Sequence, residues 1–201
     1  NMPQVKFSGS LPAGTTLYTH LFCPYAQRAY AALELYKRNE YDVHEVDLYG
    51  GSKPKPSVLV EGKVPVLAMS GALFTESEDI LDVIHENCDS PPAMESSRRN
   101  EWKSIINDRL APAGKAAVLS RKHDALHEVL GDMERKLVSQ GTPFLASEEA
   151  TISDCSAFPF IWRIRDEFGL RAFPCLEGYL ARLDELESIS KTVNQPYWWW
   201  W

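Results

Sequence analysis

No run of apolar residues in this sequence approaches the ~18 that a membrane-spanning helix requires, so no such helix is expected. Nor is there a basic block: Lys plus Arg number 21 against 28 for Asp plus Glu, a net charge of -7. An acidic chain without a basic patch suits polyanions badly, and neither nucleic acid nor a membrane surface is expected as a partner. Cysteine is sparse. Cys23, Cys88, Cys155 and Cys175 lie far apart and form no CxxC pair. That spacing suits a reducing compartment, here the cytoplasm, better than a disulfide framework, and no metal site is expected. No basic segment followed by an apolar one opens the chain, and no secretory signal is expected. What is present is ordinary for a globular protein: 201 residues, 44% hydrophobic and 24% charged. Such a chain forms one or two domains and buries a core without a covalent or metal staple.

Strand and helix signals alternate up to about Cys88. Thr15 to Thr19 is β-branched and aromatic, which predicts a strand. From Pro24 to Arg38 the pattern is helical, with Ala26, Ala29, Leu33 and Tyr36 on one face and Gln27, Arg28, Glu34 and Lys37 on the polar faces. Further strands are expected over Tyr41–Leu48, Val64–Met69 and Leu73–Thr75, and a helix around Ile80, Val83 and Ile84 that ends near Asn87. One parallel crossover and one hairpin then give a four-stranded mixed sheet. Asp89-Ser90-Pro91-Pro92 reads as a linker, since two prolines break helix and sheet ladders alike. Beyond it the signals are helical. Trp102, Ile105, Ile106 and Leu110 form one stripe, stopped by Pro112. Leu126, Val129, Leu130, Met133 and Leu137 form another, closed by Gly141. Thr151 to Asp154 reads as a capping box opening a third helix, which Pro159 should kink. Leu176, Tyr179, Leu180 and Leu183 mark a fourth.

The segment from His20 to Arg28 carries the chemistry. Cys23 stands immediately before a proline suited to a first helical turn. Unsatisfied N–H groups and the positive end of the helix dipole favour thiolate over thiol there. The other reading of Cys23 is a small buried hydrophobe, and the local pattern leaves both open. Ala26 stands where the second cysteine of a CxxC motif would be, so a reactive Cys23 must be resolved by an external thiol. In Glu61-Gly62-Lys63-Val64-Pro65-Val66-Leu67 a proline enters a strand. A cis bond there would turn the backbone of Val64 toward a ligand, but the pattern does not decide between cis and trans. Glu76 and Ser77 end a strand and open a helix. They can hold the amine and carboxylate of an α-amino acid, or simply cap an acidic first turn.

Cys23-Pro24-Tyr25-Ala26 with Arg28, the Val64-Pro65 segment, Glu76-Ser77 and the Thr151–Asp154 box occur in an order that resembles the glutathione transferase superfamily. Within it the chain looks most like the cysteine-type members: omega-class transferases, dehydroascorbate reductases and related thiol-dependent reductases. The resemblance implies a thioredoxin-like glutathione-binding domain over 1–88 and an all-helical domain over 93–201 that forms the second-substrate pocket. It implies glutathione as cosubstrate and Cys23 as the residue that forms a mixed disulfide with it. Tyr25, Val64, Pro65 (as cis-proline), Glu76 and Ser77 would hold the tripeptide. Lys53, or alternatively Lys55, would reach its glycyl carboxylate. Phe158 and Arg163 fall where omega-class enzymes line the second-substrate pocket, with core packing and a solvated face as the other readings. Tyr18, placed where conjugating classes carry a tyrosine, reads as a packing residue here.

The implied activity is thiol-disulfide exchange, with deglutathionylation and dehydroascorbate reduction among its forms and conjugation to electrophiles weak. Small disulfides or electrophiles would be the substrates, and a homodimer is a common assembly of the fold. A different low-molecular-weight thiol could serve the same site. A non-catalytic module of this fold, used for protein assembly or ligand carriage, is the alternative function. Such modules typically lose the thiol or the γ-glutamyl pair, and this chain retains both. The aromatic tail Tyr197–Trp201 has no counterpart in the resemblance.

Overall fold

The structure, a computed structural model, describes residues 11–36, 40–48, 56–87 and 96–193, with only the backbone of residue 60. The expected linker, Lys53, Lys55, Cys88 and the aromatic tail lie outside the described residues. The chain divides into two compact units, Asn1–Pro91 with Lys191–Trp201, and Pro92–Ser190.

In the first unit the strands are β1 (Thr16–Thr19), β2 (Asp42–Glu45), β3 (Val66–Met69) and β4 (Ala72–Phe74), in sheet order β2-β1-β3-β4. β1 pairs with β2 in parallel and with β3 antiparallel, Leu17 lying opposite Val43 and Leu67. β3 and β4 form a hairpin through Ser70 and Gly71, whose φ angles of 49° and 77° suit a tight turn. Alternation along β1 sends Leu17 and Thr19 into the core. β2 is one of the two edge strands, and all four of its side chains are exposed. α1 (Pro24–Tyr36) crosses from β1 to β2 and packs against α2 (Ser77–Glu86). Its expected apolar face is buried, but so are Gln27 and Arg28, which the periodicity had placed on the outside. Each is buried with partners. Gln27 Nε2 donates to the carbonyl oxygen of Thr192 at 3.1 Å and lies 3.3 Å from its hydroxyl. Lys191, beside Thr192, forms an ion pair with Glu34 of α1. These ties accompany the grouping of Lys191–Trp201 with the first unit.

The second unit is helical: α3 (Ser96–Ser104), α4 (Ala111–Ser120), α5 (Asp124–Gln140), α6 (Ile152–Phe168), α7 (Pro174–Asp184) and α8 (Glu187–Ser190). Pro112 does not stop the first helical stripe. A π turn over Ile105–Leu110 joins α3 to α4, and the Ala111 N–H bonds back to Ile106. This widened turn precedes the proline, whose missing N–H falls in the first turn of α4. α6 runs through Pro159, and nearly every side chain from Ile152 to Ile164 is buried, as expected of the central helix of a bundle.

The capping box opens α6. Thr151 Oγ1 accepts the Ser153 N–H at 3.2 Å, and Asp154 Oδ2 accepts the Thr151 N–H at 2.7 Å. The other carboxylate oxygen of Asp154 accepts from Leu145 N–H and Tyr179 hydroxyl, both at 3.0 Å. α5 ends as expected at Gly141, in the left-handed region at φ 69°. A methyl group built there meets nothing within 4 Å, so only backbone strain opposes it. Gly141→Ala is therefore expected to cost about 1 kcal/mol, read as a lower urea midpoint at unchanged slope.

Candidate active site

Cys23 closes the loop that follows β1 and takes the N-cap position of α1. Its carbonyl accepts the Gln27 N–H at 2.9 Å, the first bond of the helix, and its own N–H donates to His20 O at 3.0 Å. The thiol is half-buried and directed at the Val64 carbonyl oxygen, 3.9 Å away. The Val64–Pro65 bond is cis, and Pro65 is buried at the entry to β3. The first-turn N–H groups of α1 have no acceptor within the helix, so negative charge on a group at its start is favoured.

Ser77 is the first residue of α2, and Glu76 precedes it in extended conformation. The Glu76 carbonyl accepts the Ile80 N–H at 3.0 Å, while its carboxylate makes no capping bond and is exposed. Ser77 is buried at the same turn. Its hydroxyl lies 3.4 Å from Arg28 Nη1, and that nitrogen is 3.2 Å from Glu78 Oε1. Arg28 is only 1% exposed, and its guanidinium lies 5.3 Å from the centre of the Tyr25 ring. It thus reaches from the helix that bears the thiol to the turn that bears Glu76 and Ser77. Ser77 accepts from the guanidinium, which leaves its own hydroxyl proton free of that bond. The Tyr25 hydroxyl is held above the ordinary phenol range, by burial first, with Arg28 pulling the other way. Tyr25 itself is at the surface, 36% exposed.

Two family models match, the glutathione S-transferase N-terminal domain over residues 17–92 and the glutathione S-transferase C-terminal domain over 116–182. The chain belongs to the glutathione transferase superfamily. Among its relatives, glutathione S-transferase L3 of Arabidopsis thaliana is 29% identical over 93% of this chain and 86% of the relative. Glutathione S-transferase DHAR2 of the same plant is 24% identical over 73% of this chain and 69% of the relative. A solved structure of a glutathione transferase family member from Pseudomonas fluorescens, with two glutathione bound, superposes with a TM-score of 0.74 at 19% identity, covering 89% of this chain and 92% of that one. The family and the fold read from the sequence, a four-stranded mixed sheet followed by a helical domain, are the ones found.

In this transferase chain the structure brings Cys23, Tyr25, Val64, Pro65, Glu76 and Ser77 into one unit. Two expected second-substrate residues on α6 are a different matter. Phe158 has no exposed surface and Arg163 almost none, with Arg163 Nη1 donating to the Pro159 carbonyl at 2.8 Å. Both side chains are buried in the structure described, which sets aside the solvated-face reading of Arg163. Tyr18 packs against His44 with ring centres 5.2 Å apart, consistent with a packing role. Cys155 is fully buried, and burial pushes its thiol well above the ordinary range, which makes it inert. Cys175 is also raised, chiefly because its thiol bonds to Glu134. Among the described residues, no group of three or more His, Cys, Asp or Glu could hold a metal ion. Among the same residues, no helix is long and apolar enough to cross a membrane.

Sequence reasoning quoted Arg28 as part of a motif but gave it no task. A signal was present. Arg28 follows the buried Ala26 and precedes the buried Ala29 on an alanine-rich helix. Small neighbours let a long side chain cross to the adjoining helix.

Proposed function

We propose that this chain is a glutathione-dependent thiol transferase or reductase that works through the thiolate of Cys23. The observation that carries the proposal is the position of Cys23 at the N-cap of α1, half-buried, with its sulfur facing the Val64 carbonyl across 3.9 Å. The kinship with glutathione S-transferases, DHAR2 among them, supports the choice of thiol.

In the first step the Cys23 thiolate attacks the glutathionyl sulfur of a mixed disulfide. A new S–S bond forms, the old one breaks, and the released thiolate takes a proton from water. In the second step a glutathione thiolate attacks the glutathionyl sulfur on Cys23. Oxidised glutathione leaves and the Cys23 thiolate is restored. No second cysteine is needed, in keeping with Ala26 three residues on. During both steps Val64 would hold the cysteinyl backbone of glutathione beside Pro65, with Tyr25 at the rim. Ser77 would donate to the γ-glutamyl carboxylate and Glu76 would accept from its ammonium. The buried Arg28 charge beside Ser77 favours the carboxylate. Lys53 would serve the glycyl carboxylate. Deglutathionylation and dehydroascorbate reduction are the activities we assign, in a reducing compartment where glutathione is abundant.

The test is intact-mass spectrometry after incubation with oxidised glutathione, followed by peptide mapping. One glutathione adduct on Cys23 is expected, with Cys155 and Cys175 unmodified. An unmodified Cys23 under conditions that modify a free thiol peptide would overturn the mechanism.

A further inference from the structure

The thiol loop between β1 and α1 is four residues long: His20, Leu21, Phe22 and Cys23. A short exposed loop tip such as this must satisfy its backbone N–H groups through side chains, its own carbonyls or water. The structure assigns each of the N–H groups from Leu21 to Cys23 a protein acceptor. The Leu21 N–H donates to Glu45 Oε1 at 2.7 Å. The Phe22 N–H donates to His20 Nδ1 at 3.1 Å, and the rings of His20 and Phe22 meet edge to face at 5.4 Å. The Cys23 N–H donates to the His20 carbonyl at 3.0 Å. Two of the three acceptors belong to the loop itself. Of these three acceptors, Glu45 is the one that lies on another element.

Glu45 is the last residue of β2, an exposed edge strand. Its side chain is not buried against the core. The next residue, Val46, donates its N–H to the carbonyl of Thr19 at 2.8 Å, which fixes the end of β2 beside the end of β1. Glu45 therefore sits on a rigid support opposite the loop, and a charged acceptor makes a stronger bond than a neutral one.

We propose that Glu45 is a positioning residue for Cys23: by holding the Leu21 N–H it fixes the turn that sets the Cys23 amide and the start of α1. It acts through the backbone of Leu21. The proposal rests on Cys23 as the nucleophile.

The experiment uses the full chain and iodoacetamide, with Cys23 alkylation followed by intact mass and Cys23→Ser as the blank. Glu45→Ala is expected to slow alkylation about fivefold, the worth of one exposed hydrogen bond. Glu45→Gln retains an oxygen at the same reach without the charge, and is expected within about twofold of wild type. Glu45→Asp retains the charge but falls short, and is expected to behave like the alanine variant. Thermal midpoints of the three should agree, which separates positioning from general loss of structure. Wild-type reactivity in Glu45→Ala would overturn the proposal. So would Glu45→Gln matching Glu45→Ala while Glu45→Asp matches wild type, because the charge would then be acting directly. The glutathione adduct of the unaltered protein tests the reading of Cys23 separately. It can fail while the alkylation series succeeds, or the reverse.

Discussion

Cys23→Ser is expected to lower glutathione-dependent disulfide reduction by about a thousandfold or more, with little change in stability. The reason lies in the acidity of the attacking group. A helix N-terminus brings a thiol with an ordinary pKa of ~8.5 into the range where it is ionised at neutral pH. An alcohol starts too far above that range for the same dipoles to ionise it. Serine is meanwhile among the best N-cap residues, so the start of α1 should tolerate the exchange. Turnover of bis(2-hydroxyethyl) disulfide with glutathione measures the first quantity, and thermal unfolding the second. Activity retained within about tenfold of wild type would show that sulfur 23 is not the nucleophile.

The largest expected effect on stability is at Asp154→Ala. This fully buried carboxylate accepts from Leu145 N–H, Thr151 N–H, Thr151 hydroxyl and Tyr179 hydroxyl. Its removal leaves two buried backbone donors and two buried hydroxyls without their acceptor, at about 4 kcal/mol in all. For a chain of this length that is a fall of about 10 °C in Tm, measurable by calorimetry. The pH dependence has a definite sign. Burial pushes the Asp154 carboxyl above the ordinary aspartate range, and the four donors offset only part of that rise. A group with a raised folded pKa stabilises in full below its unfolded pKa of ~3.9, and this contribution falls as pH rises through the folded value. Asp154→Asn has no such proton. The stability of wild type relative to Asp154→Asn should therefore decrease from acid toward neutral pH in urea titrations, and a difference that grows instead would contradict the raised pKa.

Much of the fold is visible in local patterns. The capping box at Thr151 and Asp154 is a spacing rule, the end of α5 at Gly141 is a backbone rule, and both are found where the residues demand them. Pro112 shows the limit of such rules. A proline ends a regular α-helix, but a π turn ahead of it changes which carbonyl each N–H seeks, and no residue pattern marks that turn. Gln27 and Arg28 show a second limit. Periodicity assigns polar residues to the outside, whereas Thr192, Ser77 and Glu78 are distant in sequence and supply polar partners inside. The position of Cys23 was legible because Pro24 announces the helix start. The contribution of Glu45 was not, since its link to Leu21 spans 24 residues and depends on strand pairing. Phe158 and Arg163 were placed by kinship rather than by their own surroundings, and both side chains are buried.

The bond from Gln27 to Thr192 joins residues 165 positions apart. During synthesis the helix that carries Cys23 leaves the ribosome long before Thr192 does. The inward side of that helix is thus completed only once a residue far along the chain has emerged, so the first unit is tied together by a segment made after the whole second unit.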